Sequence, residues 1–516
     1  MKKDISSNKL HSSERRKRAK TSSLTAPKTL SFMKREANPR IMEKYKLNTE
    51  LEWVDQIPEC PVFHPSMEDF KDPLVFLQTI AQKASKYGIC KIVSPWKASV
   101  PASDVLTKEQ RGFEFKAYVQ NLRLHQWNLN DMANFLITES TYNYKSFEKM
   151  SNRAFAKRFP DQSTGLSHAF LEKQFWLEMA RGTATVEYGV NIDGSAFSSD
   201  PNDELGQSNG NLKTLPQLPN CCLRLLDYEI PVMRIFCSCF LYDDSDHYLY
   251  SINYHHSGAP KTWYGVPGHA ATGFETVARE YVYDPDILTH ICEDGASALL
   301  AEKTTMFPPN ILLQHNVPVY KAVQKAGEYV ITFPRAYHAG FSQGFNCGEA
   351  VNFATGDWFP WGAVAGQIYA HLCKMVILPF EELLCKEAII LSKCWDPAFE
   401  ESGSARSSIR RLFVRHIESL NGAVRLLHES MPSITYSSTS QGTIVCELCK
   451  RDCYLAFLEC DKCFHHTCIF HAIDSLGCSC SGKLIVYTQE DVWKVVDAYR
   501  VFEESSERGF DQELFS

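Results

Sequence analysis

No window of this 516-residue chain approaches the ~20 uninterrupted apolar residues that a membrane span needs, and the N-terminus lacks the apolar core of a signal peptide. Both absences exclude a membrane partner and point to the cytosol or nucleus. An overall excess of positive charge is also missing. The formal net charge is −7, yet residues 1–40 hold twelve Lys or Arg against three Asp or Glu. That head carries +9 and the remainder −16, which excludes nucleic-acid coating of the whole surface and leaves room for one local electrostatic function. A dispersed disulfide framework is the fourth absence. Of nineteen cysteines, eight crowd between Cys446 and Cys480, a pattern that favours metal over cross-linking.

What is present, 44% hydrophobic residues, suffices for a large core in more than one domain. The expected class is α+β multidomain. Residues 1–49 are polar, show no helical or strand period and read as a disordered basic tail. Within it ERRKRAK, 14–20, is a compact basic cluster of the kind nuclear import factors read. Residues 50–97 form a helix and strand unit: Pro73 opens a helix whose apolar face is Phe76, Leu77, Ile80, Ala81 and Ala84, and ICKIV follows Gly88 as a strand. Residues 98–180 read as a helical connector. Short strands bounded by Gly and Pro fill 181–376, the pattern of a barrel or jelly roll. A helical region and a Ser/Thr-rich linker occupy 377–441, the cysteine cluster 442–484, and a closing helix and tail 485–516.

Two stretches dominate the strand-rich region, DDSDHYLYSINYHHSGAPKTWYGVPG from Asp243 and EYVITFPRAYHAGFSQGFNCGEAVNFATGDW from Glu328. Polar residues interleave with Tyr, Phe, Ile and Val at period two, so Asn253, Lys261, Thr262, His338, Asn346 and Asn352 project from otherwise apolar strands. Such a set lines a cavity. In the cysteine cluster the ligand candidates are Cys446, Cys449, Cys453, Cys460, Cys463, Cys468, His471, Cys478 and Cys480. Their C-x2-C, C-x3-C and C-x2-H spacings suit tetrahedral Zn²⁺, with ligands enough for two ions and one to spare. His465 and His466 compete for places, so the set stays open.

The stretches HYLYSINYHHSGAPKTWYGVPG, FPPNILLQHNVPVYKAVQKAGEYVITFPRAYHAGFSQGFNCGEAVNFATGDWFP and IPECPVFHPSMEDFKDPLVFLQTIAQKASKYGICKIVSP closely resemble the Jumonji histone lysine demethylases. The likeness takes in a JmjN segment, a JmjC jelly roll (double-stranded β-helix) and a C-terminal zinc finger, the order of the plant-type members. It implies a nuclear protein that uses Fe(II) and 2-oxoglutarate to hydroxylate an N-methyl group, with the histone H3 tail or nucleosome and chromatin complexes as partners. By resemblance His338 is the distal iron ligand and Lys261 pairs with the 2-oxoglutarate carboxylate. Asn253 contacts the same molecule, Trp263 and Phe240 wall it, and Ala350, Asn352 and Tyr188 fall where the family meets its methyl-lysine peptide.

The likeness breaks just before LYSINYHH. Members of this type usually read Trp-His-x-Glu-Asp-His-Tyr there, whereas this chain has Asp243 in place of the first histidine and Ser245 in place of the carboxylate. The preceding strand is shorter and lacks a tyrosine that helps hold 2-oxoglutarate. Asp243 and His338 leave one carboxylate and one imidazole, and a seryl hydroxyl is a poor ligand. The expectation is therefore a chromatin regulator with catalysis lost or weakened, its rivals being an active demethylase with unusual ligands and an altered gene model over 231–246. The folded site is expected to set His338 across the barrel from 243–247, with no second imidazole and carboxylate converging on it.

Overall fold

The computed structural model describes residues 51–122, 136–160, 165–189, 192–226, 240–285, 295–396, 404–471 and 482–513, apart from 244 and 304, with a few isolated positions besides. The basic cluster at 14–20, Cys478 and the side chains of Phe240 and Asp243 lie outside the described residues.

In chain order the elements that matter are β1 (Val62–Phe63), α1 (Pro73–Ala84), β2 (Ile89–Val93), β3 (Phe115–Leu122), β4 (Leu136–Tyr142), α2 (Tyr144–Arg158), α3 (His168–Arg181) and β5 (Ala184–Tyr188). Then come β6 (Phe240–Asp243), β7 (Tyr250–Gly258), β8 (Lys261–Val266), β9 (Tyr320–Gln324), β10 (Glu328–Thr332), β11 (Tyr337–Ser342) and β12 (Asn346–Phe353). Helices α4 (Phe359–His371), α5 (Phe380–Ser392) and α6 (Ala405–Ser430) follow. The cysteine-rich end holds β13 (Thr435–Thr439), β14 (Ile444–Val445), β15 (Asp452–Cys453), β16 (Ala456–Cys460), β17 (His466–Thr467), β18 (Leu484–Gln489) and α7 (Val492–Glu513).

The N-terminal unit is part of the jelly roll. Asp72 caps α1 by accepting from the N–H groups of Leu74 and Val75, and Pro73 sets the first turn. At its far end Gly88 takes φ +74, and a Cβ there would meet the Val266 carbonyl at 2.7 Å, so only glycine lets the helix end abut β8. The strand that follows, β2, runs between β1 and β10 in a five-stranded sheet ordered β1-β2-β10-β7-β12. A four-stranded sheet, β6-β11-β8-β9, faces it.

Alternation along the strands separates two environments. The outward side chains of the first sheet, Ile252, Tyr254, Tyr329, Ile331, Val351 and Phe353, share one core with α1, α5, α6 and Val495 and Phe502 of α7. The outward set of the second, Tyr264, Val266, Tyr337, Ala339 and Phe341, packs on Phe175 and Trp176 of α3 and on Phe274. Each large apolar side chain so buried stabilises the fold by about 1.5–3 kcal/mol. Between the sheets lies a small apolar floor of Ile89, Trp263, Ala322 and Val330 with Cys60.

Two expectations need correction. Among the described residues the 98–180 segment is helical at 102–109 and in α2 and α3, but β3 pairs with both β4 and β5 in a third sheet. The composition of FKAYVQNL carries this strand, but a register shift between Lys116 and Tyr118 interrupts the alternation that would have revealed it. Likewise the Ser/Thr-rich stretch at 433–442 is no simple linker, because β13 runs parallel to β18 at the edge of the finger's sheet. Its Thr, Tyr and Ile residues favour extended backbone, and its polarity suits an edge exposed to water.

Candidate active site and zinc centres

Register defines which side chains look into the jelly roll. Asn253 stands opposite Val330 on one side and Ala350 on the other, and Ser251 opposite Thr332 and Asn352. Directly opposed residues share a face, so Asn253, Ala350 and Asn352 look inward with Val330. In the facing sheet His338 lies opposite both Gly265 and Asp243, and Lys261 opposite both Ser342 and Gln324. Trp263, between them on β8, stacks its ring on His338 at 6.2 Å and 21° and lies 5.7 Å from the Lys261 ammonium. Asn253, Lys261, Trp263 and His338 thus face the same interior between the two sheets. His338 and Asp243 are neighbours on adjacent strands of one sheet, not partners across the barrel as expected.

Gln324 ties the two sheets together. Its Oε1 accepts from the Trp263 indole at 2.9 Å, and its Nε2 donates to the Asn253 carbonyl at 2.9 Å, with the Asn253 Oδ1 at 3.3 Å. Sequence reading missed Gln324, and also His255, although parity with Asn253 would have found the latter. His255 is buried and faces the same interior, opposite Gly348. Burial first, then the charges of Lys261 and His256, hold its pKa down at about 3, and its Nε2 has no hydrogen-bond partner. On the outer face, Glu349 accepts from the Ser195 hydroxyl at 2.9 Å and the Ala196 N–H at 3.1 Å, with the His256 ring 3.2 Å away. That carboxylate fastens the 195–197 loop to the sheet. Tyr188 ends β5, buried, and pairs with Tyr118 in the third sheet.

The turn after β6 has a strained backbone. Ser245, His247 and Tyr248 all take positive φ, at 60°, 52° and 54°, a conformation costing non-glycine residues about 1–2 kcal/mol each. Surrounding contacts hold it. The His247 N–H donates to the Tyr369 hydroxyl at 3.3 Å, its carbonyl accepts from the Trp358 indole at 3.0 Å, and its Nε2 accepts from the Ile377 N–H at 3.1 Å. Asp246 pairs with Lys303 at 2.8 Å. His247 and Asp246 are therefore committed to α4 and its surroundings. His338 keeps its Nδ1 on the Ala336 carbonyl at 3.3 Å, and among the described residues no group of three His, Cys, Asp or Glu ligands includes it. Two imidazoles and one carboxylate, the donor set of a non-haem Fe(II) oxygenase, do not assemble from the described residues.

The cysteine cluster behaves differently. Cys446, Cys449, Cys468 and His471 bring their ligand atoms within 4.8 Å of one another, and Cys460, Cys463 and Cys480 do the same. The Cys449 and Cys468 sulfurs lie 3.8 Å apart, close to the ~3.8 Å that two thiolates at ~2.3 Å span on a tetrahedral ion. Gly482 is obligatory, because a Cβ there would come within 2.2 Å of the Cys460 sulfur. The two groups interleave along the chain, Cys460 and Cys463 falling between Cys449 and Cys468. Cys453 belongs to neither: it lies in β15 opposite Ile444, with its sulfur against the Arg451 carbonyl at 3.7 Å. It is the ligand to spare.

A buried junction fixes this finger to the helices behind the jelly roll. The Glu381 carboxylate, at the start of α5, accepts from the N–H groups of Tyr454 and of Leu455, the latter at 3.1 Å, and meets His416 of α6 at 2.5 Å. Asp452 in turn accepts from the Glu381 N–H at 2.7 Å.

A jelly roll completed by an N-terminal strand and followed by a two-centre cysteine finger defines a JmjN/JmjC protein, and family models agree: the jmjN domain matches residues 61–94, the JmjC domain, hydroxylase, residues 236–353, and the C5HC2 zinc finger residues 446–492. This chain belongs to the JmjN/JmjC family with a C5HC2 zinc finger. It is 48% identical over 478 residues to lysine-specific demethylase JMJ706 of Oryza sativa subsp. japonica, covering 90% of this chain and 56% of that protein. Lysine-specific demethylase JMJ703 of the same plant is 29% identical over 84% of this chain and 40% of its own length. Lysine-specific demethylase 5D of Pan troglodytes is 33% identical over 67% and 23%. The chain thus spans at most about half the length of these relatives.

Proposed function

We propose that this chain is a nuclear chromatin regulator that engages the histone H3 tail or nucleosome, alone or in chromatin complexes, while its own Fe(II)- and 2-oxoglutarate-dependent demethylation is lost or weakened. The observation that carries this reading is the turn at 245–248, where a serine takes the place of the carboxylate and His247 is bound to Tyr369, Trp358 and Ile377. Asp243 beside His338 offers one carboxylate and one imidazole, a set that binds divalent iron weakly.

By the family resemblance Lys261 and Asn253, with Trp263 and Phe240, would receive a dicarboxylate, and Ala350, Asn352 and Tyr188 the peptide. Cys446, Cys449, Cys468 and His471 hold one Zn²⁺, and Cys460, Cys463, Cys478 and Cys480 the second. A rival reading, an active demethylase using unusual ligands, draws support from the buried Lys261, Asn253 and His338.

The two readings separate by metal analysis after anaerobic Fe(II) loading, beside a variant carrying Asp243→His and Ser245→Glu. The expected result is zinc in both, with iron retention and 2-oxoglutarate decarboxylation in the variant alone. Iron retention and turnover by the native chain would establish the rival.

A further inference from the structure

An acidic body with one strongly basic helix has an electrostatic feature that the cavity does not use. From Ala405 to Ile417, α6 contains Arg406, Arg410, Arg411 and Arg415 and no Asp or Glu. Its buried side is Ile409, Phe413, Ile417, Leu420 and Leu427, which turns Arg411, Arg415 and Arg425 to solvent. None of these three pairs with a carboxylate among the described residues, whereas Arg410 turns back over the Trp395 ring at 5.4 Å. Glu418 and Glu429 also lie exposed, both beyond the cluster toward the C-terminus.

The finger extends the patch. His416 and Phe470 place their rings 6.4 Å apart, and the Arg451 guanidinium sits 5.0 Å from the same Phe470 ring. Arg451, half-buried, therefore lies in the finger near His416 of α6. The Glu381 junction fixes the finger against α6 through His416, so Arg451 keeps its place near the helix that carries Arg411 and Arg415.

We infer that Arg411, Arg415 and Arg451 form a contact surface for the phosphate backbone of duplex DNA. Arg411 and Arg415 are one helical turn apart, about 6 Å along the axis, the rise of about two phosphates of one strand when measured along the duplex axis. Guanidinium groups suit phosphate oxygens because their forked donors engage two at once. Single-stranded nucleic acid would call for exposed aromatic platforms between the charges, and the one aromatic residue of α6, Phe413, is fully buried. This inference deepens the nucleosome reading above and is independent of whether iron binds.

The test is the salt dependence of binding of the full chain to a blunt 30-base-pair duplex and to the matching single-stranded RNA, by fluorescence anisotropy. Each phosphate contact contributes about 0.9 to the slope of log K against log salt. Arg411→Gln with Arg415→Gln should lower that slope by about 2 on any duplex sequence, and adding Arg451→Gln by about 1 more. The paired Arg→Lys variant should restore most of the slope, which a folding defect would not allow. An unchanged slope in the double variant, or a loss confined to RNA, would overturn the inference. Neither result bears on the iron assay, so the two readings fail separately.

Discussion

Replacing Glu381 by alanine tests whether the zinc finger is a tethered accessory or a fixed part of the molecule. Burial alone would raise the Glu381 carboxyl, but the hydrogen bond and charge of His416 and the N–H groups of Tyr454 and Leu455 outweigh it and hold the group below the usual carboxylate range. The same pairing overcomes burial at His416 and raises its pKa. Asp452 is pushed up to about 6, by burial first and then by Glu381. Removing the carboxylate orphans two backbone donors and strands a half-buried imidazole. A net hydrogen bond to a charged group is worth about 1.5–3 kcal/mol, and breaking a buried pair by deleting one member costs about 3–5 kcal/mol. The expected loss is about 3–5 kcal/mol, with Glu381→Gln losing roughly half because it keeps one acceptor. Urea unfolding followed by a zinc-release dye and by tryptophan fluorescence should show the finger transition at lower denaturant, with less zinc-retaining protein at every step. A loss under about 1 kcal/mol would mean that the junction is solvated and the finger moves freely.

His247 should set an acid limit. Burial first holds its pKa down at about 4, against 6.5 unperturbed, so the unfolded chain takes up the proton before the folded one does. The stability from the neutral ring is complete above 6.5 and is lost as pH falls toward 4, by about 3 kcal/mol. His247→Gln keeps an acceptor for the Ile377 N–H and should flatten that decline; parallel urea midpoints for both proteins at pH 7 and 4.5 would contradict the assignment. Among the cysteines, Cys453→Ser should retain two zinc ions per chain and Cys449→Ser only one, read by elemental analysis. A zinc ion lost from the Cys453 variant would return that residue to the ligand set.

Where period and chemistry agreed, the sequence was readable. ICKIV became β2 over the residues expected, because a continuous apolar run after a helix-ending Gly88 has few alternatives. The inward facing of Asn253, Lys261 and His338 followed from alternation, whereas Thr262, placed in the same set, faces the other way from Lys261; spacing gave a cluster with ligands for two ions but not their division into two groups. Three things were hidden. The strand β3 carries a register shift that breaks its alternation. The edge strand β13 is polar on its exposed residues and looks like a linker. The turn at 245–248 depends on positive φ at residues that rarely take it, and the partners that hold it come from α4 and from 377, more than a hundred residues away. Local propensity cannot report a conformation imposed by such distant contacts.

The place of β2 inside the five-stranded sheet has a consequence for how the molecule is made. Residues 89–93 are flanked by β1 on one side, but their longer edge pairs with 328–332. During synthesis that edge emerges early and stays unsatisfied until most of the jelly roll has left the ribosome. Non-local pairing of this kind slows folding and prolongs exposure of strand edges. Ile89, Cys90 and Ile92, fully buried in the finished protein, are then the part of the nascent chain most in need of a chaperone's cover, and a stalled or truncated translation product would present them as an open template for aggregation.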